Sequence, residues 1–446
     1  MPPRNLAICP MKPHAQSSPQ LRMFDVLLED LVDRKHPLVV LSKAIPWDVV
    51  CGPLEERFSE CPSRPALPAR LVIGAMYLKS MYDCSDKEFV SRWIENPYWQ
   101  YFCGAEYFQF KGPFDSSSLT KWRNRFSEDD LSNVLKTSIA SLEKTGLLTE
   151  KEVEVVNVDT TVQEKNVEFP TDRKTLFRVL IELVRQSKSF EIVLRQSYVR
   201  VAKKALRMSA VYASQKKYKL AKRQERKIRS YVGRVKRDIL RKIEGDQVKQ
   251  KAFAFICGIA DRVIEQSKNK RAKNKIYSLH EPHVECIAKG KIHKAYEFGV
   301  KVSVVATSRK GFILSCRTAP GNPHDSNTLQ ESLDDAILLL GREGIKRAYV
   351  DKGYRGHGVK GPIKVTHAGQ RPTDKKIKKE LRRRSAIEGV ISHLKGTCRM
   401  WKNFLKGERG DRINAIFAAA AHNFLLLLGA IYLVAYFWTF SETFFA

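Results

Sequence analysis

The sequence contains no pair of cysteines in a CxxC arrangement, and its nine cysteines are odd in number and widely scattered. They are Cys9, Cys51, Cys61, Cys84, Cys103, Cys257, Cys286, Cys316 and Cys398. This pattern argues against a disulfide framework and against a zinc site, and it favours reduced thiols in the cytoplasm. His280, His283 and His293 also lack a recognised ligand spacing, so we expect no zinc site there.

Acidic residues are scarce relative to basic ones. The chain has 48 Asp and Glu against 79 Lys and Arg, which gives 446 residues a formal net charge of +31. An excess of this size repels itself unless a polyanion is nearby, and therefore it indicates a nucleic-acid partner. A ribosomal or membrane-surface protein would show the same excess, so charge alone defines no activity.

Long uncharged stretches are also rare. One runs from Ile413 to Ser441 and has the length of a bilayer-spanning helix, although His422 and Asn423 interrupt it. We interpret it as a buried C-terminal helix followed by an apolar tail over 429–446, with a membrane anchor as the alternative.

The N-terminus has no apolar core of the kind that secretory signals carry. Residues 1–23 are predicted to be a disordered leader, and Met23 is an alternative start. Residues 24–148 are predicted to form a helical N-terminal domain. There Pro68 opens an amphipathic helix, and Ser85 is positioned to cap the next one.

A short basic helix is predicted near the end of this domain. Ser116–Ser118 can cap it, and its cations are Lys121, Arg123 and Arg125. Such a helix can read a DNA groove, or it can be the solvated face of a small helical bundle.

Residues 149–428 are predicted to form an α/β domain with one mixed sheet. The run VEVVNVDTT predicts a strand that ends at Asp159, and YEFGVKVSVVAT and GFILSCRTAP predict two further strands. A helix then opens near Asp325 or Ser326, either of which can be its N-cap. GIKRAYVD predicts a strand ending on Asp351, and the helix RRRSAIEGVISHLKG carries Glu388.

A basic helical insertion interrupts this domain at about 173–270. Lys and Arg far outnumber Asp and Glu there, and few residues break the helices. Helices this polar are expected to supply little core, so they either lie along DNA or project into solvent.

Three carboxylates carry the predicted chemistry. Open α/β sheets place ligands at strand ends, where Asp159 and Asp351 are expected to converge. Carboxylates suit Mg²⁺, and two such ions can activate an attacking oxygen and stabilise a leaving one at phosphorus. Each acid also has a purely structural interpretation. Asp159 can cap a turn, Asp351 can anchor a loop, and Glu388 can pair with Arg384.

Several segments resemble DDE transposases of bacterial insertion sequences, in particular the insertion-sequence-five family. VNVDTT, YVDKGYRG and the spacing Arg384, Glu388, Lys395 are similar to its three signatures. SLHEPHVECIAKGK, APGNPHDSNTL, AAAAHNFLLLL and the N-terminal segments ARLVIGAMYLKSMYDCSDKEFVSRW and DSSSLTKWRNRF also resemble that family. The resemblance covers nearly all of residues 24–428. One position departs from it, because Leu381 stands where the family has a Tyr.

The resemblance implies an RNase H-like catalytic fold with Asp159, Asp351 and Glu388 as catalytic residues and as ligands of Mg²⁺ or Mn²⁺. Arg384 and Lys395 lie close to three helical turns apart, so both are expected on the face of Glu388, in contact with DNA or in salt bridges. Loop residues beside Asp351 are expected to approach the scissile strand, and these are Lys352, Tyr354, Arg355 and His357.

We therefore expect a cytoplasmic, nucleoid-associated transposase that binds the terminal inverted repeats of its mobile element, cleaves the ends and joins the 3′ hydroxyl to target DNA. A homodimer or larger assembly on DNA is expected. The alternatives are a catalytically impaired derivative that acts as a DNA-binding repressor, a plain nuclease of the same fold, and a membrane protein.

Overall fold

The computed structural model describes residues 26–57, 66–269, 271–288, 295–370 and 372–444, with side chains as far as Tyr432. The predicted leader, Cys9, Cys61 and His293 lie outside these residues. The chain divides into two compact units: the first ends at Glu164 and resumes at Val300, and the second is Lys165–Gly299.

The first unit begins with helices. They are α1 (Leu28–Leu31), α2 (Pro37–Ala44), α3 (Trp47–Glu55), α4 (Ala69–Met81), α5 (Asp86–Trp93), α6 (Pro97–Phe102), α7 (Ser116–Arg123), α8 (Glu128–Lys144) and α9 (Glu150–Val153). The expected helix after Pro68 is α4, and Ser85 caps α5 in a capping box with Glu88. The cap of α7 is Asp115, whose carboxylate accepts the Ser117 N–H, so the prediction that Ser116–Ser118 cap this helix is wrong.

A mixed sheet follows. Its strands are β1 (Val155–Glu164), β2 (Glu285–Ala288), β3 (Tyr296–Thr307), β4 (Ile313–Ala319), β5 (Arg347–Val350) and β6 (Lys364–His367). In the first unit the order is β3-β1-β5-β6, with β4 antiparallel to β3 on its other side. β5 is parallel to both β1 and β6. The Ser308 N–H after β3 donates to the Val155 carbonyl at the start of β1, and the Lys165 N–H after β1 donates to the Phe298 carbonyl near the start of β3, so these two strands run antiparallel.

Helices cover the faces of this sheet. They are α14 (Asp325–Leu340), a 3-10 turn at Lys352–Tyr354, α15 (Lys375–Arg383), α16 (Ala386–Gly396) and α17 (Gly407–Phe444). His324 caps α14 by accepting the Ser326 N–H, and therefore neither Asp325 nor Ser326 is the N-cap. The helix predicted to carry both Arg384 and Glu388 is divided, with Arg384 at the C-terminal end of α15.

One hydrophobic core joins the N-terminal helices and the sheet. Val72, Leu135, Val158, Val304 and Phe424 all belong to the same buried cluster. The sequence places a domain boundary at 148/149, but residues on both sides of that position contribute to this core.

The apolar C-terminal segment is part of α17. This helix packs against α2, α4, α8 and β4, and Asn423 and Phe424 on it are fully buried. Among the described residues, Gly407–Tyr432 is long and apolar enough to cross a membrane, and 61% of its most apolar window is buried. The bent pair α2 and α3 passes the same test only if it counts as one span. Burial of this kind is typical of a core helix.

The second unit contains α10 (Asp172–Ser189), α11 (Val199–Ser214), α12 (Tyr218–Lys242) and α13 (Gln247–Lys268), and β2 pairs there with the first residues of β3. In α12 a narrow stripe of Ile228, Val232, Val235 and Ile239 is buried, and it joins a separate core with residues of α10, α11 and α13. The expectation that these helices supply little core is therefore wrong.

Candidate active site

The register between the parallel strands β1 and β5 determines how Asp159 and Asp351 are aligned across the sheet. In the pairing of β1 with β5, Asn157 is level with Tyr349. Continuing this register by two residues places Asp159 level with Asp351, which directly follows β5. Adjacent strands lie about 4.8 Å apart, and side chains two residues apart share one face of a sheet. The pairing itself ends at Asn157 and Tyr349, so the adjacency of the two carboxylates is an expectation drawn from this register.

Backbone N–H groups orient both carboxylates in the same way. Asp159 Oδ1 accepts the N–H of Thr160 at 2.8 Å, and Asp351 Oδ1 accepts the N–H of Lys352 at 2.7 Å. Asp351 is exposed, whereas Asp159 is half-buried because β1 continues beyond it to Glu164. The prediction that this strand ends at Asp159 is wrong, and the one that the later strand ends at Asp351 agrees with β5.

α15 lies on the face of the sheet that carries the side chains of Asn157 and Tyr349. Asn157 Nδ2 donates to the carbonyl oxygen of Arg383 at 3.2 Å. On β5, Arg347 Nε and the Tyr349 hydroxyl donate to Glu380 at 2.8 and 2.7 Å. Burial raises the pKa of Glu380, but the hydrogen bonds from Arg347 and Tyr349 outweigh it and the net pKa is lowered. Glu380 is therefore a charged anchor that holds α15 to β5.

α16 brings Glu388 to this region because it packs against β1 through its buried residues, which include Ile387. The Glu388 side chain is 68% exposed and lies 3.7 Å from the Arg384 guanidinium, which is mostly buried. Leu381, half-buried on α15, is one turn before Arg384. Glu388 is thus accessible from solvent, and the ion pair with Arg384 that the sequence allows is present.

A further carboxylate lies beside these residues. Asp325 Oδ1 accepts hydrogen bonds from the Thr160 hydroxyl at 2.8 Å and from Lys301 Nζ at 3.0 Å. Its other oxygen lies so close to Gly353 that a Cβ there would approach it to 3.2 Å. Asp325 therefore links β1, β3 and the turn after Asp351. Two sequence signals pointed to it: its position at the start of a predicted helix, and its place in APGNPHDSNTL, a segment that resembles the transposase family.

Tyr354 occupies the space beneath this turn. It is 1% exposed, and its hydroxyl makes no hydrogen bond of standard geometry with the described residues. Burial raises its pKa most, and the nearby carboxylates of Asp159 and Asp325 raise it further. A ring so buried cannot contact DNA, so the prediction that Tyr354 binds DNA is wrong.

The other predicted DNA contacts differ in accessibility. Lys352 and Arg355 are exposed beside Asp351, and Lys395 is half-buried on α16. Lys121 is exposed on α7, and Arg125 lies just beyond that helix, with its guanidinium 5.4 Å from the centre of the Trp122 ring.

Arg123 is different because it is buried at the end of α7. Its guanidinium and the Lys79 ammonium both contact the carboxylate of Asp86. Burial and the positive charge of Arg123 lower the pKa of Lys79 to about 8. The prediction that Arg123 contacts DNA is therefore wrong, since this residue holds α4, α5 and α7 together.

A cluster behind α16 was not predicted from the sequence. His393, Cys398 and His422 place their ligand atoms within 4.8 Å of one another, although the chain separates His393 from His422 by several turns and a loop. The described cysteines are free thiols. No CxxC spacing in the sequence indicates this cluster. Its residues come together because α17 packs against α16.

The second unit carries a basic groove of about 570 Å³ between α10 and α11. The cations that line it, called here the insertion groove, are Arg173, Lys174, Arg200, Lys203, Lys204 and Arg207. A concave surface with this many cations is suited to phosphate groups.

Two family models match the chain. The Transposase domain (DUF772) matches residues 26–125, and the Transposase DDE domain matches residues 278–424. The second match contains Asp325, Asp351 and Glu388, whereas Asp159 lies outside both. A Rhizobium meliloti protein described as "Uncharacterized protein ORF8 in nfe locus" is 41% identical over 211 residues, which are 47% of this chain and 100% of that relative. No solved structure matches.

The chain has a helical region followed by a mixed sheet, and both parts match transposase models. These features define a class of DNA-acting enzymes whose members normally use divalent metal ions. The chain belongs to the DDE transposases of insertion sequences.

Proposed function

We propose that this transposase binds the terminal inverted repeats of its own element, cleaves the element ends and joins the resulting 3′ hydroxyl to target DNA. The observation that supports the proposal is the parallel pairing of β1 with β5, whose register, continued by two residues, would bring Asp159 level with Asp351. The packing of α16, which carries Glu388, on β1 supports it further. These three residues are the proposed catalytic carboxylates.

The strand order supports an RNase H-like catalytic domain, because β1 is central and β5 and β6 extend the sheet in parallel. The second unit is then an insertion between β1 and β3. Several segments of the sequence resemble the insertion-sequence-five family, and this resemblance supports membership of that subgroup.

The donor set fits Mg²⁺ or Mn²⁺. Asp159, Asp351 and Glu388 supply hard oxygen ligands, and none of the three is fully buried, so water and phosphate oxygens can reach them. When bound, a pair of such ions would supply activation of the attacking oxygen and charge stabilisation of the leaving oxygen.

The remaining residues hold the DNA and the site. Lys352 and Arg355 neutralise phosphates next to Asp351. Lys395 and the mostly buried Arg384, which pairs with Glu388, add positive charge near Glu388. Asp325 fixes the Thr160 hydroxyl and thereby the segment of β1 that carries Asp159. These groups orient the phosphodiester before any bond breaks.

DNA outside the active site is held by the insertion groove and by Lys121 and Arg125 near α7. Counterion release from such contacts makes binding steeply dependent on salt. Since two ends must be cut together, we propose that a dimer or larger assembly forms on DNA.

The experiment uses fluorescent duplexes copied from the DNA at both ends of the element that carries this reading frame. Wild-type protein should nick these duplexes and join them to plasmid DNA in Mg²⁺ or Mn²⁺, and should do neither in EDTA. Asp159→Asn, Asp351→Asn and Glu388→Gln should bind the duplexes but lose both products.

Glu331→Gln is the matched control for Glu388→Gln. Both side chains are 68% exposed, and both pair with an arginine. Glu331→Gln should retain cleavage and joining. Wild-type levels of product from Asp159→Asn and Asp351→Asn would refute the proposed site.

The departure at Leu381 favours a second candidate, a catalytically impaired derivative that represses by occupying the end sequences. That function predicts salt-sensitive binding of the same duplexes without any metal-dependent product. Cutting without joining would instead identify a plain nuclease.

A further inference from the structure

The cluster of His393, Cys398 and His422 lies outside the carboxylate site and has its own geometry. The Nδ1 atoms of the two histidines are 2.8 Å apart, and Cys398 Sγ is 3.8 Å from Nδ1 of His393. Cys398 is fully buried and His422 is 3% exposed, whereas His393 is half-buried. Three soft or borderline ligands therefore converge at one point with access from one side.

These separations are close to those of a tetrahedral zinc site. With zinc bonds of about 2.3 Å to sulfur and about 2.0 Å to nitrogen, ligand atoms lie about 3.3 to 3.6 Å apart. The two histidine nitrogens need to separate by about 0.5 Å, and the distance from Cys398 Sγ to the ligand atom of His422, which is at most 4.8 Å, needs to close by no more than about 1.3 Å. Rotation of the His393 side chain can supply such a shift because this residue is only half-buried.

The surroundings of His422 prepare it as a ligand. Its Nε2 lies 3.0 Å from the carbonyl oxygen of Gly311, to which it donates its proton. A neutral ring that donates from Nε2 presents a bare lone pair on Nδ1, the atom that faces His393 and Cys398. Metal-bound histidines commonly use their second nitrogen to donate to a backbone carbonyl in this way.

We propose that His393, Cys398 and His422 bind one Zn²⁺ ion, with water as the fourth ligand. Binding takes place through the thiolate and the Nδ1 lone pairs of both histidines. The Cys398 proton is therefore released to solvent, and the ring proton of His393 moves from Nδ1 to Nε2 through solvent as the zinc bonds form. The ion is separate from the divalent ions of DNA cleavage. The inference does not depend on the proposed function.

The position of the site indicates what the ion does. His393 is on α16, five residues after Glu388, and His422 is on α17. Gly311 lies in the turn between β3 and β4, where a Cβ would approach the Val390 side chain of α16 to 3.0 Å. Zinc would thus tie the helix that carries Glu388 to α17, beside the turn that α16 already contacts.

The test measures zinc in the full-length protein after chelator treatment, reloading with Zn²⁺ and desalting. Elemental analysis should find about one zinc ion per chain. His393→Ala and Cys398→Ala should each lose most of it. Cys316→Ala is the matched control, because Cys316 is also a buried thiol and lies on β4. It should retain the zinc, and circular dichroism should show that all variants are folded.

Cobalt substitution gives a second readout that identifies the sulfur ligand. Loading wild-type protein and Cys316→Ala with Co²⁺ should produce a thiolate-to-cobalt charge-transfer band, and Cys398→Ala should lack it. Carboxylates alone cannot produce this band, so ions at Asp159, Asp351 and Glu388 do not interfere. No band in wild-type protein, or equal zinc content in Cys398→Ala and Cys316→Ala, would overturn the proposal.

Discussion

Asn423 joins three elements of the first unit. Its hydrogen bonds allow an estimate of how much free energy of unfolding is lost when its side chain is removed. On α17, Asn423 Oδ1 accepts the Ile313 N–H at 2.8 Å. Its Nδ2 donates to the Ile313 carbonyl at 2.9 Å and to the Ser138 hydroxyl at 3.0 Å. The pairing of β3 with β4 shifts register next to Ile313, which is why a side chain completes its hydrogen bonds.

Asn423→Ala would leave both backbone groups of Ile313 without these partners in a site from which solvent is excluded, since Asn423 and Ile313 are both 0% exposed. An unsatisfied buried polar group costs about 1–3 kcal/mol. Two such groups therefore predict a loss of about 2–6 kcal/mol in the free energy of unfolding. That is a large part of the roughly 5–15 kcal/mol available to a typical domain.

Urea denaturation followed by tryptophan fluorescence would measure this loss. Asn414→Ala is the matched control on the same helix, because Asn414 is only half-buried and donates to Gln163 at 2.8 Å. It should lose no more than about 1.5 kcal/mol. If Asn423→Ala were as stable as Asn414→Ala, the account of Asn423 as the link between α17 and β4 would be wrong.

Three further predictions concern the helix anchor, the added carboxylate and the insertion. Glu380→Gln should lower the free energy of unfolding by about 1–3 kcal/mol at neutral pH. Because the folded pKa of Glu380 is below its ordinary value of 4.5, this contribution is present above pH 4.5 and is lost as the pH falls through the folded pKa. Urea curves at pH 7 and pH 3 check it, and an undiminished difference at low pH would contradict it. Asp325→Ala should cost about 2–3 kcal/mol, because it deprives the mostly buried Lys301 ammonium of its carboxylate. Asp325→Asn should lower the free energy of unfolding by less than Asp325→Ala does. Equal losses in the two variants would show that the negative charge of Asp325 does not contribute to stability. Replacing three cations of the insertion groove with Gln should reduce the slope of log binding constant against log salt by about 0.9 for each phosphate that the protein no longer neutralises. An unchanged slope in fluorescence anisotropy would exclude the groove as a DNA surface.

The strands were accessible from the sequence because local patterns determine them. Alternating and β-branched residues located β3 and β4, and the short apolar run before Asp351 located β5. The order of elements around Asp159, Asp351 and Glu388 was also accessible, since it follows from these runs. The alignment of Asp159 with Asp351 could not be predicted from the sequence, because it depends on the register between β1 and β5.

Other features depend on tertiary packing that no local pattern contains. The narrow apolar stripe of α12 is inconspicuous among its cations, yet three neighbouring helices bury it. Tyr354 stands among exposed loop residues in the sequence, but the turn after Asp351 directs its ring inward. Arg123 is likewise buried by Asp86 and Lys79, which come from other helices.

The central claim is that Asp159, Asp351 and Glu388 form one divalent-metal site. A Mn²⁺ titration of the protein bound to end duplexes, with free Mn²⁺ quantified by electron paramagnetic resonance, tests it most directly. Asp159→Asn, Asp351→Asn and Glu388→Gln should each bind fewer Mn²⁺ ions or bind them more weakly than wild type, whereas Glu331→Gln should match wild type. Mn²⁺ isotherms that are the same for wild type and all three variants would contradict the claim.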